Sequence, residues 1–565
     1  MMRNFFIIAI SLAMGGWSCA PLLAGHLAEL QRAAVENNQS PAAHWGPNPE
    51  KYSSWTSHSN RLIPVYTYGT LGAGPGIDLN SYINENSAYR NADRLRQIYG
   101  FVPTETVTPN ANYMDQTDVY RIQKAALKAG KKHIILVVFD GMDWQTTWAA
   151  ATSKAGKVSY HEGRGTGLFW QDYNANDTTQ FSSMVTSPHN EGTNIDVNNQ
   201  RVTNPGGTLR GGFNIERGGA TPWAETTDPQ YWIGKSEDTG FRHAYTDSSS
   251  SATSMTAGIK TFNNSVNVDA TGTPVPTIAH EAQAEGYAIG VVSSVPISHA
   301  TPAAAYSHNV TRNDYQDLTR DLVGRPSIAH PNPLAGVDVL IGGGWGVERE
   351  KDGAQGENFE PGNRYLAPSD LKAIDIANGG KYVVVQREAG KKGADQLAAA
   401  AKRAAGEGHR LFGFYGAKGS DNFAGNLPLQ GSAGDYQPGP GWKARDLAYT
   451  KADVTENATL AQMTDAALMV LEKNPKGFWL MVEAGDVDWA NHDNNLDAAV
   501  GAILSGDEAI QHVANWVEAN GGWDDAVMVV TADHGHYLVI DDPSLLVKKR
   551  SEQPKADPQA AAATE

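Results

Sequence analysis

Two acid and histidine clusters carry the clearest chemical signal in this chain: Glu483, Asp488 and His492 in VEAGDVDWANHD, and Asp533, His534 and His536 in TADHGH. Carboxylates combined with imidazoles suit zinc, whereas a mainly oxygen ligand set suits magnesium. Each cluster directly follows an apolar run, FWLMVE at Phe478 to Glu483 and AVMVVTAD at Ala526 to Asp533. An open α/β sheet places its chemistry just beyond such strand ends. Any one of these residues alone reads as a solvated loop acid or a satisfied histidine, but two clusters at two strand exits point to a multi-metal site.

A candidate nucleophile lies elsewhere. In YTDSSSSATSMTAGIKTF, from Tyr245, Ser248 directly precedes a run of helix-compatible composition. Its hydroxyl would then sit at a helix N-terminus, where backbone N–H groups and the dipole favour an anion. The same residues also read as a serine-rich loop or an ordinary N-cap. No G-x-S-x-G surrounds Ser248, which weakens a carboxylester-hydrolase reading, and no S-x-P-x-R pattern of the sulfatase kind occurs there.

The elements that must position these residues are legible as apolar runs alternating with helical patterns. The clearest strands are LIPVYTY from Leu62, HIILVVF from His133, YAIGVVSS from Tyr287, VDVLIGG from Val337, FWLMVE and AVMVVT. Helical patterns run from Val119, Thr277 and Ala458, and from Leu496 to Ala519. Near-continuous apolar strands are buried on both faces, so the expected fold is an α/β three-layer sandwich with a largely parallel central sheet. Gly/Pro/Asn-rich stretches at about 204–240 and 331–442 are expected as insertions above the strand ends, and the Pro/Ala tail 553–565 as disordered.

The chain has 565 residues, 41% of them hydrophobic, enough for one large catalytic domain over 25–552. A net charge of -17 argues against a nucleic-acid partner. Residues 1–24 carry Arg3, the apolar run FFIIAISLAM and small residues before Gly25, which predicts a secretory signal peptide cleaved after Ala24. The run is too short for a spanning helix, so no stable membrane insertion is expected after cleavage. Cleavage would also remove Cys19, the single cysteine, leaving a mature chain without disulfides; lipid anchoring at Cys19 is disfavoured by its neighbours Gly16 and Trp17.

Taken together, the motifs resemble those of the alkaline phosphatase family. Asp247 and Ser248 in TDSSSSAT match its nucleophile motif, with Gly258 to Thr261 following in place. SHATPAAAYSHNVTR is similar to its next block, and FDGMD to its first metal block. The resemblance implies Ser248 as nucleophile and Arg312 as the phosphate-gripping cation. It also implies Asp140 as a bridge between a zinc and the magnesium, Thr301 and Glu483 as magnesium ligands, Asp488 and His492 on one zinc, and Asp533 and His534 on the other. His299 stands where the family carries aspartate or histidine, which leaves the third metal's identity open. His536 is expected to hydrogen-bond a ligand carboxylate.

In ordinary members the last zinc histidine follows the TADH block, yet no histidine follows His536 here. SHSNRLIPVYTYG, from Ser57, resembles that missing block, and YMDQTDVYRIQKAAL, from Tyr113, resembles the family's C-terminal helix. The expectation is a circular permutation in which 25–130 is equivalent to the family's C-terminal segment and His58 completes the zinc site. The implied function is an exported, periplasmic or extracellular hydrolase that cleaves small phosphate monoesters through a phosphoserine, with two zinc ions and one magnesium. A phosphodiesterase using the same metals, or a secreted metal- or phosphate-binding protein without catalysis, are the alternatives.

Overall fold

The computed structural model describes residues 25–207, 209–225, 228–233, 242–418, 423–443 and 449–547. The expected leader at 1–24 and the tail at 553–565 lie outside the described residues.

Ten strands form the central sheet, numbered here in chain order: β1 Ile63–Tyr68, β2 Met114–Asp115, β3 His133–Phe139, β4 Gln180–Val185, β5 Ala288–Pro296, β6 Val339–Gly343, β7 Tyr382–Gln386, β8 Arg410–Phe414, β9 Phe478–Ala484 and β10 Ala526–Ala532. Their spatial order is β7-β8-β6-β5-β9-β3-β10-β1-β4-β2. All pairings from β7 to β10 are parallel, while β1 runs antiparallel to both β10 and β4. The two central strands β9 and β3 and their neighbour β10 are buried along their whole length. That burial is why they read as unbroken apolar runs and not as alternating ones.

The principal helices are α1 Thr117–Lys128, α2 Trp144–Ala155, α3 Ser248–Ala257, α4 Ile278–Ala284, α5 Ala300–Ala304, α6 Tyr315–Val323, α7 Gly393–Glu407, α8 Leu460–Leu471, α9 Asp486–His492 and α10 Leu496–Ala519. Two groups pack separately against the sheet: α1, α3, α4 and α5 with one another, and α2, α7, α8 and α10 with one another. The three-layer α/β sandwich expected from the strand pattern is therefore what the chain forms.

One expectation is corrected. Residues 331–442 are not simply an insertion above the strand ends, because they supply β6, β7 and β8 to one edge of the sheet, with α7 covering them. Glycine, proline and asparagine dominate the linkers of this stretch and mask two five-residue strands whose partners are distant in sequence.

The register of the central strands aligns the site. Glu483 sits opposite Val138 on β3, and Ala532 opposite Phe139, so Asp140, Glu483 and Asp533 all leave the same sheet edge side by side. Gly141, just past Asp140, has a φ of +73°, and a Cβ there would lie 2.7 Å from the Cα of Asp488. Only glycine lets the β3 exit turn sharply while the start of α9 approaches this closely.

Candidate active site

Asp247 caps α3 from an extended conformation, and its carboxylate accepts the Ser250 N–H at 3.0 Å. Ser248 is thereby fixed as the first residue of the helix, where its backbone N–H has no helical partner. Its hydroxyl is buried, 3.3 Å from Asp140 Oδ1 and 3.2 Å from His534 Nε2. Arg312 reaches over the same helix start: Nη1 donates to Asp247 Oδ2 at 3.1 Å, and Nη2 lies 3.4 Å from His299 Nε2. The guanidinium beside Asp247 holds that carboxyl down at about 2 despite burial, so it is ionised at any working pH.

The metal-ligand candidates form three adjoining groups. Asp140, Asp533 and His534 bring their ligand atoms within 4.8 Å of one another, with His534 Nε2 at 3.2 Å from Asp140 and 3.5 Å from Asp533. Backbone donors fix this group: Gly141 N–H to Asp533 Oδ1 at 2.9 Å and His534 N–H to the same oxygen at 2.8 Å.

The second group collects around Asp488. Its Oδ1 lies 2.8 Å from His536 Nε2, 3.3 Å from His492 Nε2 and 3.4 Å from His58 Nε2. His58 belongs to a two-residue antiparallel pairing in which His58 faces His536 and Ser59 faces Gly535. His58 Nδ1 is 2.7 Å from the Thr246 carbonyl and His492 Nδ1 is 2.7 Å from the Thr56 carbonyl. A carbonyl only accepts, so both rings carry a proton at Nδ1 and, when neutral, aim Nε2 lone pairs at each other across 3.2 Å. Two opposed lone pairs beside a buried carboxylate form a donor set that a cation satisfies.

The third group is all oxygen. Thr301 donates to Asp140 Oδ2 at 3.4 Å, and Glu483 accepts a close hydrogen bond from Ser293. The second oxygen of Glu483 is buried and has no hydrogen-bond partner within bonding geometry among the described residues. Burial and the neighbouring Asp140 push Glu483 well above the ordinary carboxylate range, and burial with Asp488 pushes Asp140 to about 7. Asp533 is likewise raised, by burial and by Asp140. Such crowding of buried acids is unfavourable without positive charge among them, and metal cations are the charge that suits it.

The structure thus brings together Ser248, Arg312, Asp140, Thr301, Glu483, Asp488, His492, Asp533, His534 and His58, with Asp247, His299 and His536 touching members of the set. A family model described as alkaline phosphatase matches residues 214–399 and 443–557, more than half of the chain.

The chain belongs to the alkaline phosphatase family.

It is 31% identical over 319 residues to an alkaline phosphatase of Escherichia fergusonii, covering 54% of this chain and 61% of that protein. It is 31% identical over 320 residues to alkaline phosphatase H of Pseudomonas aeruginosa, with the same coverage. The chain therefore spans about three fifths of the length of these two relatives. Among solved structures, the alkaline phosphatase of Thermus thermophilus aligns over 72% of this chain and 60% of that chain, with 20% identity and a TM-score of 0.42.

Several supporting residues of this site escaped sequence reasoning. Ser251 donates to Asp533 at 3.2 Å, and its spacing of three from Ser248 on one helix face was a usable signal. Ser293 under Glu483 gave none, because a serine in a buried strand reads as filler. Ser57, Glu191, Tyr245, Asn263 and Tyr315 line a groove of about 400 Å³ that opens beside His58 and Arg312. Among the described residues no helix is long and apolar enough to cross a membrane.

Proposed function

We propose that this protein hydrolyses phosphate monoesters through a phosphoserine at Ser248. The observation that carries the reading is the placement of the Ser248 hydroxyl, at a helix N-terminus, 3.3 Å from Asp140 and 3.2 Å from His534, with Arg312 bonded to the adjoining cap residue Asp247. Arg312 would grip two non-bridging phosphate oxygens, and the α3 N-terminus would favour the same anion. Ser248 Oγ forms a bond to phosphorus as the ester P–O bond breaks and the alcohol leaves, and water then splits the Oγ–P bond to return the serine and inorganic phosphate.

Asp533 and His534, with Asp140, would hold one zinc; His58, Asp488 and His492 the other; and Asp140, Thr301 and Glu483 magnesium. Bound there, these ions supply the positive charge that stabilises the entering and leaving oxygens. His536 orients Asp488 from behind, and His299 lies against Arg312.

A circular permutation accounts for His58. The family match begins at residue 214, and far upstream of it His58 lies 3.4 Å from Asp488 and β1 flanks β10, which supports this reading. Core contacts depend on position in space and not on chain order, which makes such a rearrangement physically tolerable. Export, guided by the leader at 1–24, goes with this reading.

The test compares a phosphate monoester with the matching diester as substrates, and traps the enzyme with labelled phosphate by acid quenching. The monoester should be favoured and the label should sit on Ser248. Ser248→Ala should lose nearly all turnover while keeping its metal content; a fully active variant would sink the proposal.

A further inference from the structure

A second group of metal-ligating side chains lies outside the site described above. His308, Asp321 and His330 each bring one ligand atom within 4.8 Å of the others. They come from three pieces of chain: the stretch after α5, the helix α6, and the loop that follows α6.

His308 Nε2 is 2.9 Å from the Val275 carbonyl, so it carries the ring proton and Nδ1 presents a lone pair inward. Burial and the nearby imidazoles push His308 down to about 3, which keeps the ring neutral. His330 Nε2 lies 3.0 Å from that lone pair and 3.8 Å from Asp321 Oδ2. A tetrahedral ion with ligands at about 2.0–2.2 Å has ligand-to-ligand edges of roughly 3.3–3.6 Å, and the two separations bracket that range.

Asp321 supplies the stronger argument. It is fully buried, its Oδ1 accepting the Ser327 hydroxyl at 2.7 Å and its Oδ2 the backbone N–H of His308 at 3.0 Å. Among the described residues its ion-pair partner is His330 alone, because Arg320 on the same helix is engaged by Asp317 and Asp370. Burial, with Asp317 and Asp314 close by, pushes Asp321 up to about 8. With its proton retained this carboxyl is neutral; a cation held between the three side chains would displace that proton and take the carboxylate, already fixed by Ser327 and the His308 backbone N–H, as a ligand.

His280, stacked on His308 with ring centroids 5.1 Å apart, is not a ligand. Its Nδ1 accepts the Thr277 N–H at 3.0 Å, so the neutral ring carries its proton at Nε2. The His330 side chain is 19% exposed, so the cluster is not sealed from solvent.

We propose that His308 Nδ1, Asp321 and His330 Nε2 form a binding site for a divalent ion of the zinc class, separate from the catalytic centre. The ion would tie α6 and the loop after it to the turn that leads, four residues on, to Arg312.

The test is zinc stoichiometry of the full chain after equilibration with micromolar zinc and removal of loosely held ions. His330→Ala, in a partly exposed loop, and Asp321→Asn should each hold one ion fewer per chain than the parent. Because parent and variants share every residue of the site around Ser248, the difference is independent of how many ions that site takes. X-ray diffraction at the zinc edge should place a peak between His308 and His330 in the parent and none in His330→Ala. Should Asp321→Asn fail to fold, His330→Ala decides alone. Equal zinc content in the parent and His330→Ala would overturn the proposal and leave an ordinary hydrogen-bonded histidine pair.

Discussion

Replacing His58 by alanine tests the most specific consequence of the site. The ring is buried, stacked on His534 with centroids 3.6 Å apart, and its Nε2 is one of three candidate ligand atoms, those of His58, Asp488 and His492, that lie together. Burial alone would depress its pKa, but the hydrogen bond and charge of Asp488 outweigh that and raise it, a sign of how strongly the carboxylate draws positive charge to this point. A complete four-ligand zinc site is worth about 10–16 kcal/mol at neutral pH, so one ligand's share is roughly 3 kcal/mol, or about 100-fold in affinity. His58→Ala should therefore weaken one zinc by about that factor against a competing chelator, with the Asp533/His534 ion retained. Phosphatase activity should fall with it and recover partly at high zinc. Circular dichroism should be unchanged, because the two-residue pairing of His58–Ser59 with Gly535–His536 depends on backbone contacts. Wild-type zinc affinity in a folded His58→Ala protein would refute both the ligand assignment and the permutation built on it.

Metal binding should release protons, because Asp140 is held at about 7 and Glu483 and Asp533 well above the usual range. Those protons are bound in the metal-free protein and displaced on ligation, so affinity should rise with pH across about pH 6–8; calorimetry in buffers of different ionisation enthalpy would show it, and a flat profile would contradict it. Arg312→Lys should cut kcat/KM for phosphate monoesters by about 10- to 100-fold, since a point charge cannot replace the fork that spans Asp247 and His299; steady-state kinetics will tell. Gly506→Ala on α10 would put a Cβ 2.2 Å from the Phe139 ring, next to Asp140, and should cost about 1–3 kcal/mol even after the gain in helix propensity, read as a lower urea midpoint.

Much of this protein was decided by sequence alone. Each buried parallel strand is a short unbroken apolar run, and most of the candidate acids and histidines, His58 apart, lie at the ends of β3, β9 and β10 or within a few residues of them, so strand exits and ligand candidates could be read together. Ser248 was legible for the same local reason: Asp247 is a helix cap, and a cap is a property of neighbouring residues. The strands β7 and β8 were hidden because their five-residue runs are set among turn-forming residues, and only the pairing of β8 with β6 and of β7 with β8 builds them onto the sheet.

What the tertiary structure decided is who meets whom. His58 and Asp488 are 430 positions apart along the chain, and no periodicity in either segment reports that β1 lies against β10. The tautomers of His58 and His492 follow from carbonyls of Thr246 and Thr56, contacts that exist only once three segments far apart in the chain come together. The cluster of His308, Asp321 and His330 is spread over 23 residues of unremarkable sequence and becomes a site only when α6 folds back. Local chemistry fixes what a side chain can do, and long-range packing fixes the partners that let it do so, because the lone pairs and charges of a buried site act only over a few ångströms.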